Sequence, residues 1–333
     1  MRGNGPGSSP ALCFSRLVPV TLPWSCFRHV FQKGPDMTQM IAAFSDISFR
    51  YRAVFCDLWG CLHNGKTAYP AAVAALQAFR AQGGTVVLMT NAPRPFGSVA
   101  AQLERIGAPR DCYDFIVSSG DAAQHALVTG AVGFKVHFIG AEKDMPFFTD
   151  LPPALQAIAA KNPKIEFVPL AEAEGIVCTG LRDDLTETPE DYRAELLLAK
   201  TRGLKMLCAN PDIVVDMGDK RVYCAGALAE AYAERGGEVL YFGKPHPPIY
   251  DLARRKLAET VGEIGNDDIL CIGDGPWTDV LGGQNEGIDT LFITGGIVAD
   301  RFGPDSANPD KGLLEAWLEE EGLAPTHAMA HLG

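Results

Sequence analysis

The sequence predicts an α/β protein with a doubly wound parallel sheet into which a second α/β domain is inserted. From about residue 52, short apolar runs rich in β-branched residues alternate with Ala- and Leu-rich amphipathic stretches, which is typical of βα units. The strand-like runs are apolar throughout, as expected for parallel strands buried on both faces. The pattern of the first part resumes near residue 239 after a long interval. We therefore predict a discontinuous core domain.

The first part of the core alternates strands with helices, and a polar turn follows each strand. Pro70 supports the first helix, because proline is favoured in the first turn of a helix. The predicted strands are 53–57, 85–89 and 115–117, and the predicted helices cover about 70–82 and 95–107.

The middle of the chain repeats the alternation and is long enough for a domain of its own. Its helix at about 188–202 begins with Thr188, an N-cap residue, followed by Pro189 and acidic residues in the first turn. We assign 47–120 with 239–333 to the core domain and 121–238 to the insert. Other strands are predicted in the insert near 134–139, 164–168, 175–179 and 205–208; the core then continues with strands at 239–242, 268–272 and 289–293 and with helices at about 247–261 and from about 277.

The first 36 residues differ from the rest of the chain. They are rich in Gly, Pro and Ser at the start, and almost free of acidic residues before Asp36. An Arg-rich, acid-poor presequence is one interpretation, but Pro19 and Pro23 would interrupt its amphipathic helix. We favour a mis-assigned start, with Met37 as the alternative, and expect residues 1–46 to be a disordered or mis-assigned extension.

The composition limits which classes of protein and which kinds of partner are expected. A chain of 333 residues that is 47% apolar has enough material for one or two cores. Its net charge of −12 argues against a nucleic-acid partner and against an anionic membrane surface. The nine cysteines are scattered without a zinc-binding spacing, so we expect a reduced, cytoplasmic protein. No apolar run approaches the roughly 20 residues of a membrane helix.

Several polar side chains follow predicted core strands. In an open parallel sheet, residues just beyond the carboxyl ends of the strands converge on one site. Taken singly, each of these residues would usually be a turn or a helix cap. The joint occurrence at successive strand ends favours a site instead. The residues concerned are Asp57, Thr90, Asn91, Lys244, Asp274 and Asp279.

These residue types suit the transfer of a phosphoryl group to a carboxylate. An Asp carboxylate can attack phosphorus when a divalent cation screens the repulsion between the two anions. Mg²⁺ prefers hard oxygen ligands, which carboxylates and a carbonyl supply. Lys244 offers a point charge and Thr90 a hydroxyl to phosphoryl oxygens, and the backbone N–H groups of Asn91 and Ala92 add dipoles at a helix entry.

The order of these motifs resembles the haloacid dehalogenase (HAD) superfamily of Rossmann-like hydrolases. The family has a strand ending in a nucleophilic Asp, a strand ending in Thr or Ser, a Lys, and an acidic Gly-Asp loop. The insert between the second and third motifs resembles class IIA, which contains nucleotide, sugar-phosphate and pyridoxal phosphatases. The resemblance covers about 47–305, and its further matching residues are Gly60, Asn64, Gly65, Asn210, Pro211, Asp212 and the segment 225–227.

The resemblance implies a role for each matching residue. Asp57 would be the nucleophile and a Mg²⁺ ligand, and Asp274 a second ligand supported by the carboxylate of Asp279. Thr90 and Lys244, with the Asn91 and Ala92 amides, would hold the phosphate. The insert would be a cap that covers the site, with Asn210 and Asp212 as cap-side or hinge contacts.

Position 59 departs from the family pattern. HAD phosphatases have a proton-donating Asp there whose carbonyl also binds the metal, so Trp59 would keep the carbonyl ligand and lose the acid. Loss of a general acid costs roughly 10²- to 10⁴-fold in rate. His63 is one candidate for a substitute acid, and a structural role for it is the alternative. HAD dehalogenases carry an aromatic residue at this place, but they need no metal, and the intact acidic loop at 273–279 argues against that chemistry.

Two functions are consistent with these observations. The leading hypothesis is a Mg²⁺-dependent phosphatase that hydrolyses a small phosphorylated metabolite through an aspartyl-phosphate, at a reduced rate. The alternative, which Trp59 motivates, is a non-catalytic protein that binds a phosphometabolite and signals it by cap closure. The resemblance also implies a homodimer, since relatives often pair through the cap. The sequence does not identify the substrate.

Overall fold

The structure, a computed structural model, describes residues 38–217 and 220–333. The strands in this part of the chain are numbered in sequence order. They are β1 (Gln39–Met40), β2 (Ala53–Cys56), β3 (Thr85–Thr90), β4 (Phe115–Ser118), β5 (Lys135–Ile139), β6 (Glu166–Phe167), β7 (Gly175–Cys178), β8 (Lys205–Cys208), β9 (Val214–Met217), β10 (Lys220–Tyr223), β11 (Glu238–Tyr241), β12 (Ile269–Gly273), β13 (Asp289–Ile293) and β14 (His327–Met329).

The α-helices of the same ranges also follow the sequence order. They are α1 (Pro70–Ala81), α2 (Phe96–Arg105), α3 (Ser119–Val128), α4 (Pro146–Thr149), α5 (Pro153–Ala159), α6 (Arg193–Thr201), α7 (Ala225–Glu234), α8 (Pro247–Val261), α9 (Leu281–Glu286) and α10 (Lys311–Glu321). Short 3-10 turns cover Phe44–Asp46, Ser48–Arg50, Arg110–Cys112, Glu142–Asp144, Leu170–Glu172, Pro189–Tyr192, Asn266–Asp268 and Ala299–Phe302, and a π-turn covers Pro276–Val280.

The core domain is a parallel sheet with the strand order β1-β14-β13-β12-β2-β3-β4. Side chains alternate across it, so each strand contributes to two apolar layers. On β2, Val54 and Cys56 pack in the layer that contains α1, whereas Ala53 and Phe55 pack in the layer that contains α8. The order reverses at β2, which lies between β12 and β3. The predicted fold class, a doubly wound α/β core with an inserted α/β domain, is confirmed.

A second parallel sheet has the order β11-β8-β7-β5-β6. Helices α6 and α7 cover one face, and α3 and α4 cover the other. We call this unit, which comprises α3 and residues 135–241, the cap. The prediction that the strand at 239–242 belongs to the core was wrong, because β11 pairs with β8 and Val239 packs in the cap. A short apolar run does not reveal which of two sheets it will join.

The assignment of residues up to 46 to an extension was also wrong for 38–46. Strand β1 pairs in parallel with β14 at the edge of the core sheet, and Phe44 and Ile47 are buried beneath it. A two-residue strand has no periodicity, so the sequence pattern could not reveal it. Residues 1–37 lie outside the described residues, so the rest of that prediction stays untested.

Other differences concern short elements. The antiparallel hairpin β9–β10, helices α7 and α10, and strand β14 were not predicted. The helix expected from about 277 starts as a π-turn and becomes α-helical only at Leu281. Thr188 does stand at the N-cap of a helical segment, the 3-10 turn Pro189–Tyr192 that leads into α6, and its N–H and hydroxyl both donate to Asp191 Oδ2, at 2.8 and 2.9 Å. Among the described residues, no helix is both long and apolar enough to cross a bilayer.

If the segment before β2 is part of the core, then Phe44→Ala should lower the free energy of unfolding by about 3 to 5 kcal/mol. The Phe44 side chain is 1% exposed and its ring lies 5.6 Å from that of Phe79. Phe49→Ala is the matched control: Phe49 is 77% exposed, so its loss should change stability by less than about 0.5 kcal/mol. Urea unfolding of the two variants measures the difference, and equal stabilities would contradict the placement of Phe44.

Candidate active site

Two carboxylates stand side by side at the carboxyl ends of neighbouring core strands. Asp57 follows β2 and Asp274 follows β12, and the register pairs Cys56 with Ile272 just before them. Side-chain ligand atoms of Asp57, Asp274 and Cys61 all lie within 4.8 Å of one another, and all three residues are buried. The two carboxylates predicted to share an ion are therefore close enough to do so.

Lys244 joins this pair to a third carboxylate. Its ammonium Nζ donates to Asp57 Oδ1 and to Asp279 Oδ1, both at 2.6 Å, and the side chain is almost completely buried. Burial alone would lower the pKa of Lys244, but the charges of Asp279 and Asp57 raise it above its usual range. The lysine therefore stays charged at neutral pH.

Negative charge in the site exceeds positive charge. Burial raises the pKa of Asp57 although Lys244 opposes the shift, and burial also raises the pKa of Asp279, to about 7. The pKa of Asp274 is well above its usual range because the group is buried and faces Asp57 and Asp279. Among the described residues, Asp274 has a backbone donor, the N–H of Ile297 at 2.9 Å, but no bonded cationic side chain. Such a cluster is stabilised by a bound cation.

The donor set fits Mg²⁺. Carboxylate oxygens are the hard ligands that this ion prefers, and Asp57 and Asp274 supply them. Gly60 leaves room beside them: it has a φ of +72°, and a Cβ atom there would lie 2.0 Å from Asp274 Oδ2. Burial and the nearby Asp274 raise the pKa of the Cys61 thiol, so Cys61 stays protonated and is a poor Mg²⁺ ligand. The carbonyl of Trp59 stays a predicted ligand.

Asn91 links the core to the cap. Its Oδ1 accepts from the Lys244 N–H at 2.7 Å, and its Nδ2 donates to the Lys244 carbonyl at 3.0 Å and to Asp212 Oδ1 at 2.8 Å. Thr90 Oγ1 is buried and accepts from the N–H of Ala92 at 3.2 Å, which leaves the hydroxyl proton free to donate. The Asn91 side chain therefore fixes the backbone that presents Lys244.

A cleft of about 260 Å³ lies between these core loops and the cap. Of the predicted residues, His63, Thr90, Asn91, Ala92 and Asn210 do not line it. Asn210 instead uses its Oδ1 to accept from the Asp212 N–H at 3.0 Å. The predicted residues that do line the cleft are Asp57, Trp59, Asp212, Lys244, Asp274 and Asp279.

Sequence reasoning missed several residues of the cleft wall. The cap hairpin contributes Val214, Val215 and Asp216, and no motif marks it. The segment 295–297 could have been found, because it follows the carboxyl end of β13 and obeys the same strand-end rule. Tyr69 was also missed, whereas Gly275 and Thr278, which line the cleft too, belong to the acidic loop 273–279 that the sequence had marked.

Trp59 and His63 form a packed pair at one side of the site. Their rings meet edge to face with centroids 5.1 Å apart, and a Cβ at Gly65 would lie 2.4 Å from the Trp59 ring. His63 is 1% exposed, does not line the cleft, and its Nδ1 accepts from the Gly65 N–H at 2.9 Å. Burial lowers the pKa of His63 to about 4. These contacts favour the structural alternative for His63 over the substitute acid.

Comparison with known proteins gives consistent matches. A family model described as haloacid dehalogenase-like hydrolase matches residues 54–151, and a HAD-hydrolase-like model matches 241–327. A solved hydrolase of the haloacid dehalogenase-like family from Brucella suis 1330 is 39% identical and covers 88% of this chain and 100% of its own, with a TM-score of 0.76.

Curated relatives are more distant in sequence. Ribonucleotide monophosphatase NagD of Escherichia coli (strain K12) is 24% identical over 73% of this chain and 88% of its own length. The 5'-nucleotidase YutF of Bacillus subtilis (strain 168) is 25% identical over 80% of this chain and 98% of its own.

The glycine beside Asp274 allows a direct test of the site's geometry. Gly60→Ala should destabilise the protein by about 2 to 4 kcal/mol, because the strain of a left-handed backbone adds to a clash with a buried carboxylate. Gly83→Ala is the matched control: its φ is +92°, but no atom of the described residues lies within 4 Å of the added Cβ. It should cost only about 1 kcal/mol. Denaturant unfolding without added metal compares them, and equal losses would show that Gly60 has no packing role.

Proposed function

Because the chain belongs to the haloacid dehalogenase-like hydrolase family, we propose that it hydrolyses a small phosphate monoester with Asp57 as the nucleophile. The observation that carries this proposal is the arrangement of Asp57 within reach of Asp274 and in contact with the Lys244 ammonium. The names of two relatives, a ribonucleotide monophosphatase and a 5'-nucleotidase, support a phosphate monoester as the substrate class.

The arrangement of the charged side chains supports a role for each of them in the proposed hydrolysis. Asp57 has one oxygen bonded to Lys244, and its carboxylate would attack phosphorus. Lys244 places a fixed positive charge beside the nucleophile, where it can also meet a phosphoryl oxygen. Asp279 holds the ammonium in place through a second ion pair. Attack gives an aspartyl-phosphate on Asp57, and water then hydrolyses it.

Asp57 and Asp274 would hold Mg²⁺, with the Trp59 carbonyl as a third protein ligand. When bound, the ion would neutralise charge on the phosphoryl group and orient it for attack. Thr90 would donate its free hydroxyl proton to the phosphate, and the Asn91 and Ala92 amides would add dipoles. Since Ala92 N–H is bonded to Thr90 Oγ1, its use for phosphate requires that this bond opens.

The cap defines what the site accepts. A cleft of about 260 Å³ has room for a phosphoryl group and a small organic part. Cap closure would exclude water and select the organic part through the hairpin residues Val214 and Val215. The seven described cysteines are buried free thiols, which supports a reducing compartment such as the cytoplasm. The homodimer that the family resemblance implies is also part of this proposal.

Trp59 keeps a second function open. It lines the cleft and supplies no acid, so the site could bind a phosphometabolite and signal it without hydrolysis. The two functions differ in one observable: a binding protein is stabilised by the phosphate ligand but gives no product. An aryl ester distinguishes them, because a phenolate leaves without protonation and requires no acid.

We expect the wild-type protein with Mg²⁺ to hydrolyse p-nitrophenyl phosphate, and Asp57→Asn to lose at least about 10³-fold in kcat, because the amide is a poor nucleophile. Asp267→Asn is the control: this exposed carboxylate precedes β12, at the end of the strand opposite Asp274, and its loss should leave kcat unchanged. Release of p-nitrophenol measures the rates. No turnover by either protein would eliminate the enzyme and leave the binding protein, and equal measurable rates would exclude Asp57 as the nucleophile.

Metal binding is tested without turnover. Mg²⁺ at about 100 times its dissociation constant should stabilise the wild-type protein by about 2.7 kcal/mol, seen as a higher Tm. Asp274→Asn should abolish most of that shift because it removes a ligand, whereas Asp267→Asn should retain it. Thermal unfolding with Mg²⁺ and with a chelator gives the two values. A shift that survives Asp274→Asn would place the ion elsewhere.

A further inference from the structure

Five carboxylates line the cleft, and four of them either pair with a cationic side chain or belong to the proposed cation site. Asp57 and Asp279 are bonded to Lys244, and Asp274 belongs to the cation site. Asp216 of the cap hairpin has both oxygens bonded to Arg221, at 2.8 and 3.0 Å. Asp212 is the remaining one, and no cationic side chain of the described residues is bonded to it.

We propose that Asp212 is the proton donor to the leaving-group oxygen, and that the cap thereby supplies the acid that position 59 lacks. This inference rests on the proposed hydrolysis of a phosphate monoester. Asp212 lines the same cleft as Asp57 and Lys244, and it is carried by the loop between β8 and the hairpin.

The loop holds Asp212 in a fixed orientation. Its N–H donates to Asn210 Oδ1 at 3.0 Å, and its carbonyl accepts from the Gly226 N–H at 3.1 Å. Gly226 permits this approach, since a Cβ there would lie 2.4 Å from the Asp212 carbonyl oxygen. Asn91 Nδ2 binds Asp212 Oδ1, and no described residue donates to Oδ2. One carboxyl oxygen is therefore anchored and the other is available.

The protonation of Asp212 suits the role. Burial raises the pKa of Asp212 to about 6, although Lys244 and the hydrogen bond from Asn91 oppose the shift. A group with this pKa holds a proton on a minority of molecules at neutral pH, more than an ordinary Asp does, and can release it readily. A general acid that later acts as a base must be able both to hold and to release a proton near the working pH.

The chemistry balances over two steps. In the first, an Asp57 oxygen bonds to phosphorus, the bond between phosphorus and the ester oxygen breaks, and the Asp212 carboxyl proton passes to that oxygen to give the alcohol. In the second, a water oxygen bonds to phosphorus and the bond to Asp57 breaks. Asp212 takes the proton of the attacking water, so phosphate is released and both side chains return to their initial states.

A purely structural role for Asp212 makes a different prediction. If Asp212 only anchors Asn91, and through it Lys244, its loss would slow all substrates alike. An acid matters most when the leaving group is a poor one. Benzyl phosphate and p-nitrophenyl phosphate separate the two roles, because they are similar in size but release an alkoxide and a stabilised phenolate respectively.

Asp212→Asn keeps an oxygen for Asn91 and removes the acid. It should lower kcat/KM by about 10²- to 10⁴-fold for benzyl phosphate and by less than about 10-fold for p-nitrophenyl phosphate. Asp216→Asn, the same exchange in the same cleft, should leave the ratio of the two substrates unchanged. Equal losses on both substrates for Asp212→Asn would overturn the proposal. A wild-type protein that hydrolyses only the p-nitrophenyl ester would also overturn it, whereas one that hydrolyses neither would refute the proposed function itself.

A second pair of variants tests the assignment by rescue of the activity that Asp212→Asn loses. Trp59→Asp in the Asp212→Asn background places an acid at the other position and should recover at least about 10-fold of the lost benzyl phosphate activity. Trp59→Asn in the same background, which has similar size and no acid, should recover none. Recovery by both variants, or by neither, would contradict the assignment of a proton-transfer role. The Tm of each variant shows that the comparison is made on folded protein.

Discussion

The two ion pairs of Lys244 are the constraint on which the rest of the site depends. Burying carboxylates at the ends of adjacent strands is costly, and removing one partner of such a buried pair typically destabilises a protein by about 3 to 5 kcal/mol. Lys244 therefore needs a fixed position, which Asn91 provides through hydrogen bonds to both the N–H and the carbonyl of residue 244. The lysine follows β11 of the cap sheet, so the core site is completed by a residue that enters from the cap.

One ammonium does not neutralise the site. Asp274 keeps a raised pKa because burial and two neighbouring carboxylates act on it, and the Ile297 N–H and the charge of Lys244 compensate only in part. A divalent cation at the proposed site would relieve this repulsion between carboxylates. Gly60 and Gly296 serve the same end, since a Cβ at either would meet the Asp274 carboxylate at about 2 Å. Space and charge at this point thus both suit the small cation that we propose.

Residues at strand ends could be placed from the sequence alone. Parallel strands bring their carboxyl ends to one edge, so Asp57 and Asp274 could be put together although more than two hundred residues separate them. The sequence did not reveal which strands pair where that pairing depends on contacts between residues far apart in the chain. Strand β11 joins the cap sheet because Val239 finds an apolar layer there, and β1 exists only through its bonds to β14. The hairpin of the cap has no distinctive composition, so Asp216 and its partner Arg221 were missed.

Placing the acid on the cap changes how chemistry and conformation are coupled. An acid at position 59 would sit on the core, two residues from the nucleophile, and would be present whether the cap was open or closed. Asp212 belongs to the cap side, but its contact with Asn91 ties it to the element that positions Lys244. Productive cap position, lysine position and proton delivery then depend on one asparagine side chain. Under the proposed role of Asp212, a poor leaving group gains its proton only when the cap loop is in the position that bonds Asn91, so cleavage of such an ester is coupled to the position of the cap.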